Sequence, residues 1–338
     1  MEQASQTPRT RPWLVRVIAA IVAAYVLVIL AMMWWWDYEP PHFDVGTTAQ
    51  TRVAAKQQKL VTGAVTVSTL MTSAETLLDK RGGYLSNDKF PPGVLMDNVP
   101  NWEFGVLTAT RDLSRALRND FSRSQTQSVE DKDLQEADPL FSSPNDRWLL
   151  PASERQYRKA IEHVDGYLTR LADNDDSNAQ FYARADNLAD YLQVVSARLG
   201  SLSQRLSAAA GQVRLDTDLG GDPHAQQSTP APSPRLVQTP WTKIDDNFYE
   251  ARGYTWALRE QLEAIRIDFA PILASKNAAV SVEQVIRELE ESQKALGSPM
   301  VLSGTPFGFF ANHSLVMANY ISRANAAVID LRELLKRG

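Results

Sequence analysis

The sequence predicts an all-α protein, with an N-terminal transmembrane helix followed by one or more elongated antiparallel helical bundles with coiled-coil-like packing. Two observations favour this fold class. One apolar stretch before position 37 carries no charge, and beyond it apolar residues recur at alternating spacings of three and four. The alternation of apolar and polar residues that marks strands is nearly absent. We therefore expect the 338 residues to bury their core between helices.

The apolar stretch "VIAAIVAAYVLVILAMMWWW", residues 17–36, has the length of a helix that spans a bilayer core. A cleaved signal peptide is the alternative, but bulky Met and Trp stand where small residues would mark cleavage. Basic residues precede the stretch and acidic residues follow it, which predicts an N-terminus in the cytoplasm and the remainder outside. These flanking residues are Arg9, Arg11 and Arg16 before it and Asp37, Glu39 and Asp44 after it.

The chain divides into five predicted parts. Residues 1–16 are expected to form a short cytoplasmic tail without an output domain, and residues 17–36 a transmembrane anchor. Residues 37–215 are predicted to form a periplasmic helical domain. Residues 216–240 are rich in Pro, Gly and Ser and are typical of a linker. Residues 241–338 are predicted to be a C-terminal helical part that packs on the same bundle.

The longest heptad seam runs from Phe181 to Val213 and predicts a helix of about 35 residues. The residues Ser177 and Gln180 have capping-box spacing and predict its start. Residues 157–171 keep the same rhythm just upstream, so the two segments are expected to form an antiparallel hairpin.

Further seams predict the other helices. Residues 60–78 and 107–121 indicate two helices in the first half, and residues 244–272 indicate one that ends near Pro271. A capping pair, Ser281 and Gln284, predicts the start of the next helix. A last helix is indicated over residues 316–334, with Asn312 as its N-terminal cap. Residues 122–150 are expected to interrupt the helices.

Two aromatic segments with many Gly and Pro residues, 82–105 and 297–315, lie between helices. Such segments can form a groove for a peptide, a glycan or a partner helix. Alternatively, their rings plug the end of a bundle, and residues 82–105 are a structured joint that is longer than most helix connections. The candidate partner-binding residues are Tyr84, Phe90, Trp102, Phe307, Phe309 and Phe310.

The residues that usually carry chemistry are scattered. There is no Cys, and the four His residues form no pair at ligand spacing, so no metal or cofactor is expected. No nucleophile motif is present. The enzyme alternative is a peptidoglycan hydrolase that uses Asp88, Asp97 and Glu103 as acids. The net charge of −5 argues against nucleic acid as a partner.

Three stretches resemble the bacterial family known as domain of unknown function 2333. They are "LLDKRGGYLSNDKFPPGVLMDNVPNWEFGVL", "RDLSRALRNDFSRSQTQS" and "GTPFGFFANHSLVMANYISRANAAVIDLRELL". The resemblance is nearly full-length. It implies an anchor in the inner membrane of a Gram-negative bacterium and a periplasmic body, and it supplies no catalytic residue.

These observations favour a non-enzymatic, single-pass inner-membrane protein with a periplasmic helical module that binds another protein or an envelope polymer such as peptidoglycan. The lipid bilayer is its expected partner at residues 17–36. A second alternative is a sensor-type ligand-binding bundle that signals through a partner. The oligomeric state stays open, because heptad seams can close within one chain or between chains.

Overall fold

The computed structural model of the chain describes residues 12–124, 128–173, 175, 178–214, 235–298, 300–306 and 308–337. In these ranges the chain forms eleven α-helices and one two-stranded antiparallel hairpin. The strands are β1 (Gln212–Arg214) and β2 (Arg235–Val237). The helices are α1 (Pro12–Trp36), α2 (Val45–Ala55), α3 (Ala64–Asp79), α4 (Asn98–Ala116), α5 (Lys132–Phe141), α6 (Ser153–Leu171), α7 (Ala185–Ser207), α8 (Ile244–Asp268), α9 (Ala270–Ser275), α10 (Ala279–Ser292) and α11 (His313–Lys336).

The all-α prediction is confirmed, and the helices after α1 pack as a bundle around one core. Buried apolar side chains from α3 to α8 and from α10 and α11 form a single contiguous cluster. Helices on both sides of residues 216–240 therefore share the core. Most of that predicted linker, residues 215–234, lies outside the described residues.

Contacts along the helices establish the relative directions of two closely packed pairs. The antiparallel pair α7 and α11 is joined by Ser196 with Asn325 at 2.8 Å and by Ser203 with Ser322 at 2.6 Å. In contrast, α4 and α8 pack side by side in parallel. The Asn101 amide lies near the start of α4 and donates to Asp246, near the start of α8. Further along the two helices, the Gln261 amide donates to the Ala109 carbonyl at 3.1 Å, so α4 and α8 run in the same direction.

The two capping-box predictions are wrong. Helix α7 begins at Ala185, and α10 begins at Ala279, before Ser281. Tertiary contacts hold the residues before α7 out of a helix: the Phe181 ring packs on Phe269, and the Tyr182 amide donates to a backbone carbonyl at 2.6 Å. Ser177 lies outside the described residues. The cap at Asn312 is confirmed, since its side chain accepts from the Leu315 amide at 2.9 Å.

The polar segment 122–150 contains a helix that its composition did not predict. Helix α5 is capped by Asp131, and its apolar side buries Leu134, Ala137 and Phe141. Its N-terminal carboxylates bind Arg170 of α6, with Asp133 at 2.6 Å. Only three core positions mark this short helix, so packing on α6 decides its structure more than its own pattern does.

Residues 37–44, here called the strap, connect α1 to the bundle and run along α8. Glu39 pairs with Arg252 at 2.5 Å, and further along His42 contacts Glu260. Past the strap, Gly46 lies beside Ile267 near the end of α8. The end of the bundle that contacts Trp35 to Glu39 is called the proximal end below, and the opposite end the distal end.

Candidate functional site

The predicted joint, residues 82–105, lies at the proximal end in direct contact with the last turn of α1. The Arg81 guanidinium stacks over Trp35 and Tyr38, at 4.4 and 3.9 Å from the ring centres. Gly82 has a positive φ of 84°, and a Cβ there would lie 2.8 Å from the Trp36 ring. A larger residue would therefore force the loop away from α1.

The second aromatic segment, residues 297–315, reaches the same end. It forms a short loop closed by a β-bridge between Ser303 and Asn312. His313 near the end of this segment and Met317 just after it line a cleft together with Phe248 of α8 and Leu296. The fold thus places both segments at the proximal end.

The structure separates the candidate partner-binding residues into two groups. The Tyr84 ring packs edge-on against Tyr157 and its hydroxyl donates to the Asn145 carbonyl at 3.0 Å. The Trp102 ring is buried against Trp256. These two rings pack in the core, as the bundle-plug alternative expects.

The remaining aromatic candidates are exposed where the structure describes them. Phe90 is 66% exposed and contacts Trp148, while Phe309 and Phe310 are 97% and 70% exposed. Phe307 lies outside the described residues.

Sequence reasoning missed several exposed apolar residues at this end. The run "RWLLP" carries Trp148, Leu149 and Leu150, and Trp241 precedes α8. A cluster of large apolar side chains beside proline in a polar segment was the available signal.

The buried carboxylate of Glu103 holds the backbone of the predicted joint in place. It accepts from the backbone amides of Leu85 and Ser86, each at 2.8 Å, and it pairs with Lys80. Both ion-pair partners are buried. Burial raises the pKa of Glu103, and the nearby Lys80 ammonium acts in the opposite direction.

The three carboxylates of the hydrolase alternative have structural contacts. Glu103 has no exposed surface, and Asp97 caps α4 through the Asn98 amide at 2.9 Å. The Asp88 carboxylate packs under Gly93 so closely that a Cβ there would lie 1.9 Å from its oxygen. This geometry does not favour a general acid paired with a base across an open cleft.

A first cleft, of about 240 Å³, opens between the strap and the starts of α4 and α8. Arg252 lies at its base and forms a bidentate pair with Glu39, with distances of 2.7 and 2.5 Å. Burial, with Glu39 and Asp97 nearby, raises the pKa of Asp37. Burial, assisted by Asp37 and Glu39, raises the pKa of Tyr249 to about 12. Two carboxyl groups, Asp37 and Glu39, thus line the cleft beside the buried Arg252.

The second cleft, of about 190 Å³, is bounded by α8, α10 and α11. Phe248, Leu296 and Met317 form an apolar floor, and Lys294 and Tyr320 are polar groups in its lining. No group of three or more His, Cys, Asp or Glu residues is placed to hold a metal ion within the described ranges.

Helix α1 is the one helix of the described chain that is long and apolar enough to cross a membrane. None of its apolar window is buried in the bundle.

No curated protein matches the chain, and neither does any solved structure. The family model of domain of unknown function 2333, described as "Uncharacterized protein conserved in bacteria", matches residues 9–338. The chain therefore belongs to this family.

Proposed function

We propose that this protein is a non-enzymatic, single-pass inner-membrane protein whose helical module lies in the periplasm and binds another protein or an envelope polymer. The observation that carries the proposal is the junction between α1 and the bundle. Arg252 is buried and binds Glu39 of the strap through two hydrogen bonds. The module is thereby fixed to the exit of the span.

The clefts at the proximal end favour a macromolecular partner over a free small ligand. Their volumes of about 240 and 190 Å³ are below the roughly 300 Å³ at which small-molecule pockets usually begin. A cleft of this size suits one or two side chains of a partner. In the second cleft the apolar floor and the polar groups Lys294 and Glu291 together resemble a protein contact surface.

Photo-crosslinking in the native host tests the proposal. A photoreactive amino acid at Val316, in the second cleft, is expected to give a discrete adduct of higher mass that is absent without illumination. Val280 is the matched control, because it is also an exposed valine but lies near the start of α10 at the distal end. No adduct from position 316, or the same adducts from both positions, would contradict binding at this cleft.

A further inference from the structure

The exposed aromatic side chains beyond α1 have an uneven distribution in the described chain. All of them lie at the proximal end, and those on loops of the bundle are Phe90, Trp148, Trp241, Phe309 and Phe310. The sixth, Tyr38, belongs to the strap. At the distal end the exposed large apolar residues are isolated aliphatic ones, such as Leu60 and Val280. Clusters of exposed apolar side chains mark sites of interaction with a partner or a membrane.

Contacts within the bundle establish the position of each loop. The loop of Phe90 begins beside Trp36 and ends at Asp97, next to the strap. Trp148 packs on Phe90 with 5.7 Å between ring centres. Phe90 thus lies on a loop whose ends both approach the exit of α1, and Trp148 packs against it from the segment between α5 and α6.

The other three rings reach the same end through α8 and α11. Trp241 stands one turn before α8, whose Asp246 accepts from Asn101 at the start of α4. Phe309 and Phe310 precede α11, whose first residues line a cleft with Phe248 of α8.

The path of the strap establishes how the bundle is oriented relative to α1. From Glu39 at Arg252 to His42 at Glu260, the chain leaves α1 and moves along α8 toward the distal end. The bundle therefore extends away from the point where α1 ends. If α1 spans a membrane, the proximal end is the part of the bundle next to the lipid surface.

We propose that the exposed proximal aromatic residues insert into the interfacial layer of the same bilayer that α1 spans, so that the module is seated on the membrane. We call Phe90, Trp148, Trp241, Phe309 and Phe310 the seating residues. Tryptophan and other aromatic rings are favoured at the level of the lipid headgroups. The inference rests on the proposed function, because it requires α1 to be a membrane anchor.

Charge does not explain the seating. Asp37, Glu39, Asp97 and Asp245 lie at the proximal end, and their basic neighbours include Lys243. A surface of mixed sign with several carboxylates gains little from anionic lipid. We therefore expect apolar insertion of about 5 to 10 Å into the headgroup region, with little dependence on salt.

The absence of cysteine in the sequence permits a direct depth measurement. The full chain is reconstituted into phosphatidylcholine vesicles with a single cysteine that carries an environment-sensitive fluorophore. The four positions are Leu149 beside the seating residue Trp148, Phe309 as a seating residue itself, Val280 at the distal end and Val26 in α1. Lipids spin-labelled near the headgroup or near the chain end then quench each fluorophore by depth.

The expected result is that probes at positions 149 and 309 lose most of their emission to the headgroup label. The probe at 26 responds to the deep label, and the probe at 280 to neither. The losses at 149 and 309 should persist in 0.5 M salt, which is roughly the concentration that screens charges beyond 4 to 5 Å.

Two failures can be told apart. If the probe at 26 is quenched but the probes at 149 and 309 are quenched no more than the probe at 280, the seating is overturned and the anchor is left intact. No quenching at 26 would overturn the anchor and the seating together. If emission at 149 shifts to the blue as the protein-to-lipid ratio rises, without quenching by either lipid label, a second copy of the chain covers the surface.

A variant gives an independent check. Changing Phe90, Trp148 and Trp241 to serine removes three exposed rings, and circular dichroism should confirm an unchanged helix content. Headgroup quenching at 309 should then fall toward the level of the probe at 280. Unchanged quenching at 309 would contradict a cooperative seating of this end.

Discussion

Replacing Gly253 with alanine is expected to destabilise the bundle by about 3 kcal/mol, at the upper end for overpacking a core. A Cβ at this position would lie 1.9 Å from the Trp102 carbonyl oxygen, and one at Gly105 would lie 2.1 Å from the Glu250 carbonyl oxygen. Both obstacles are helix backbone, so the clash is relieved only if α4 and α8 move apart. Guanidinium unfolding of the full chain in detergent, followed by tryptophan emission, measures the loss.

The matched control is Gly200→Ala in α7. A Cβ there would have Asn325 as its neighbour at 3.6 Å, which is ordinary contact distance. Alanine is a better helix former than glycine, so this variant should be unchanged or more stable by up to about 1 kcal/mol. Equal unfolding midpoints for the 253 and 200 variants would show that α4 and α8 do not approach closely.

Replacing Glu103 with glutamine is expected to cost about 3 to 5 kcal/mol of folding free energy, because it leaves a buried charge without its partner. Lys80 is 2% exposed and Glu103 is fully buried, and the carboxylate also holds the amides of Leu85 and Ser86. The same unfolding experiment measures the loss. The unfolding midpoint should fall, because the Lys80 ammonium stays buried in the variant without the carboxylate that neutralises it.

Asp79→Asn is the control for this change. Asp79 pairs with Arg158 at 2.7 Å, but both side chains are more than half exposed. An exposed pair usually contributes less than about 1 kcal/mol, so this variant should unfold almost as the original does. The double change Lys80→Met with Glu103→Gln should lose less than Glu103→Gln alone. A larger loss in the double variant would show that the pair is not coupled as described.

The heptad seams could be predicted because they are local. In α7 the seam residues Leu188, Leu192, Val195, Leu199 and Leu206 are all buried. The start of α7 could not be predicted from its own sequence. Phe181 packs on Phe269 from a distant helix, and this contact overrides the local capping pattern.

The close crossing of α4 and α8 gave no usable signal in the sequence. Gly105 and Gly253 are isolated glycines within helical patterns, and only their mutual position gives them a role. The candidate site likewise depends on tertiary contacts that the local sequence does not reveal. Composition identified both aromatic segments, but nothing local distinguishes the buried Trp102 from the exposed Phe90.

We propose that α1 spans the inner membrane and holds the bundle on its outer side. Single cysteines can be labelled with a membrane-impermeant maleimide in cells with a permeabilised outer membrane, which reports the side of the inner membrane on which each cysteine lies. A cysteine at Val280 should react before the inner membrane is broken, and one at Ser5 only afterwards. Protection at 280 with labelling at 5 before the inner membrane is broken would contradict this orientation.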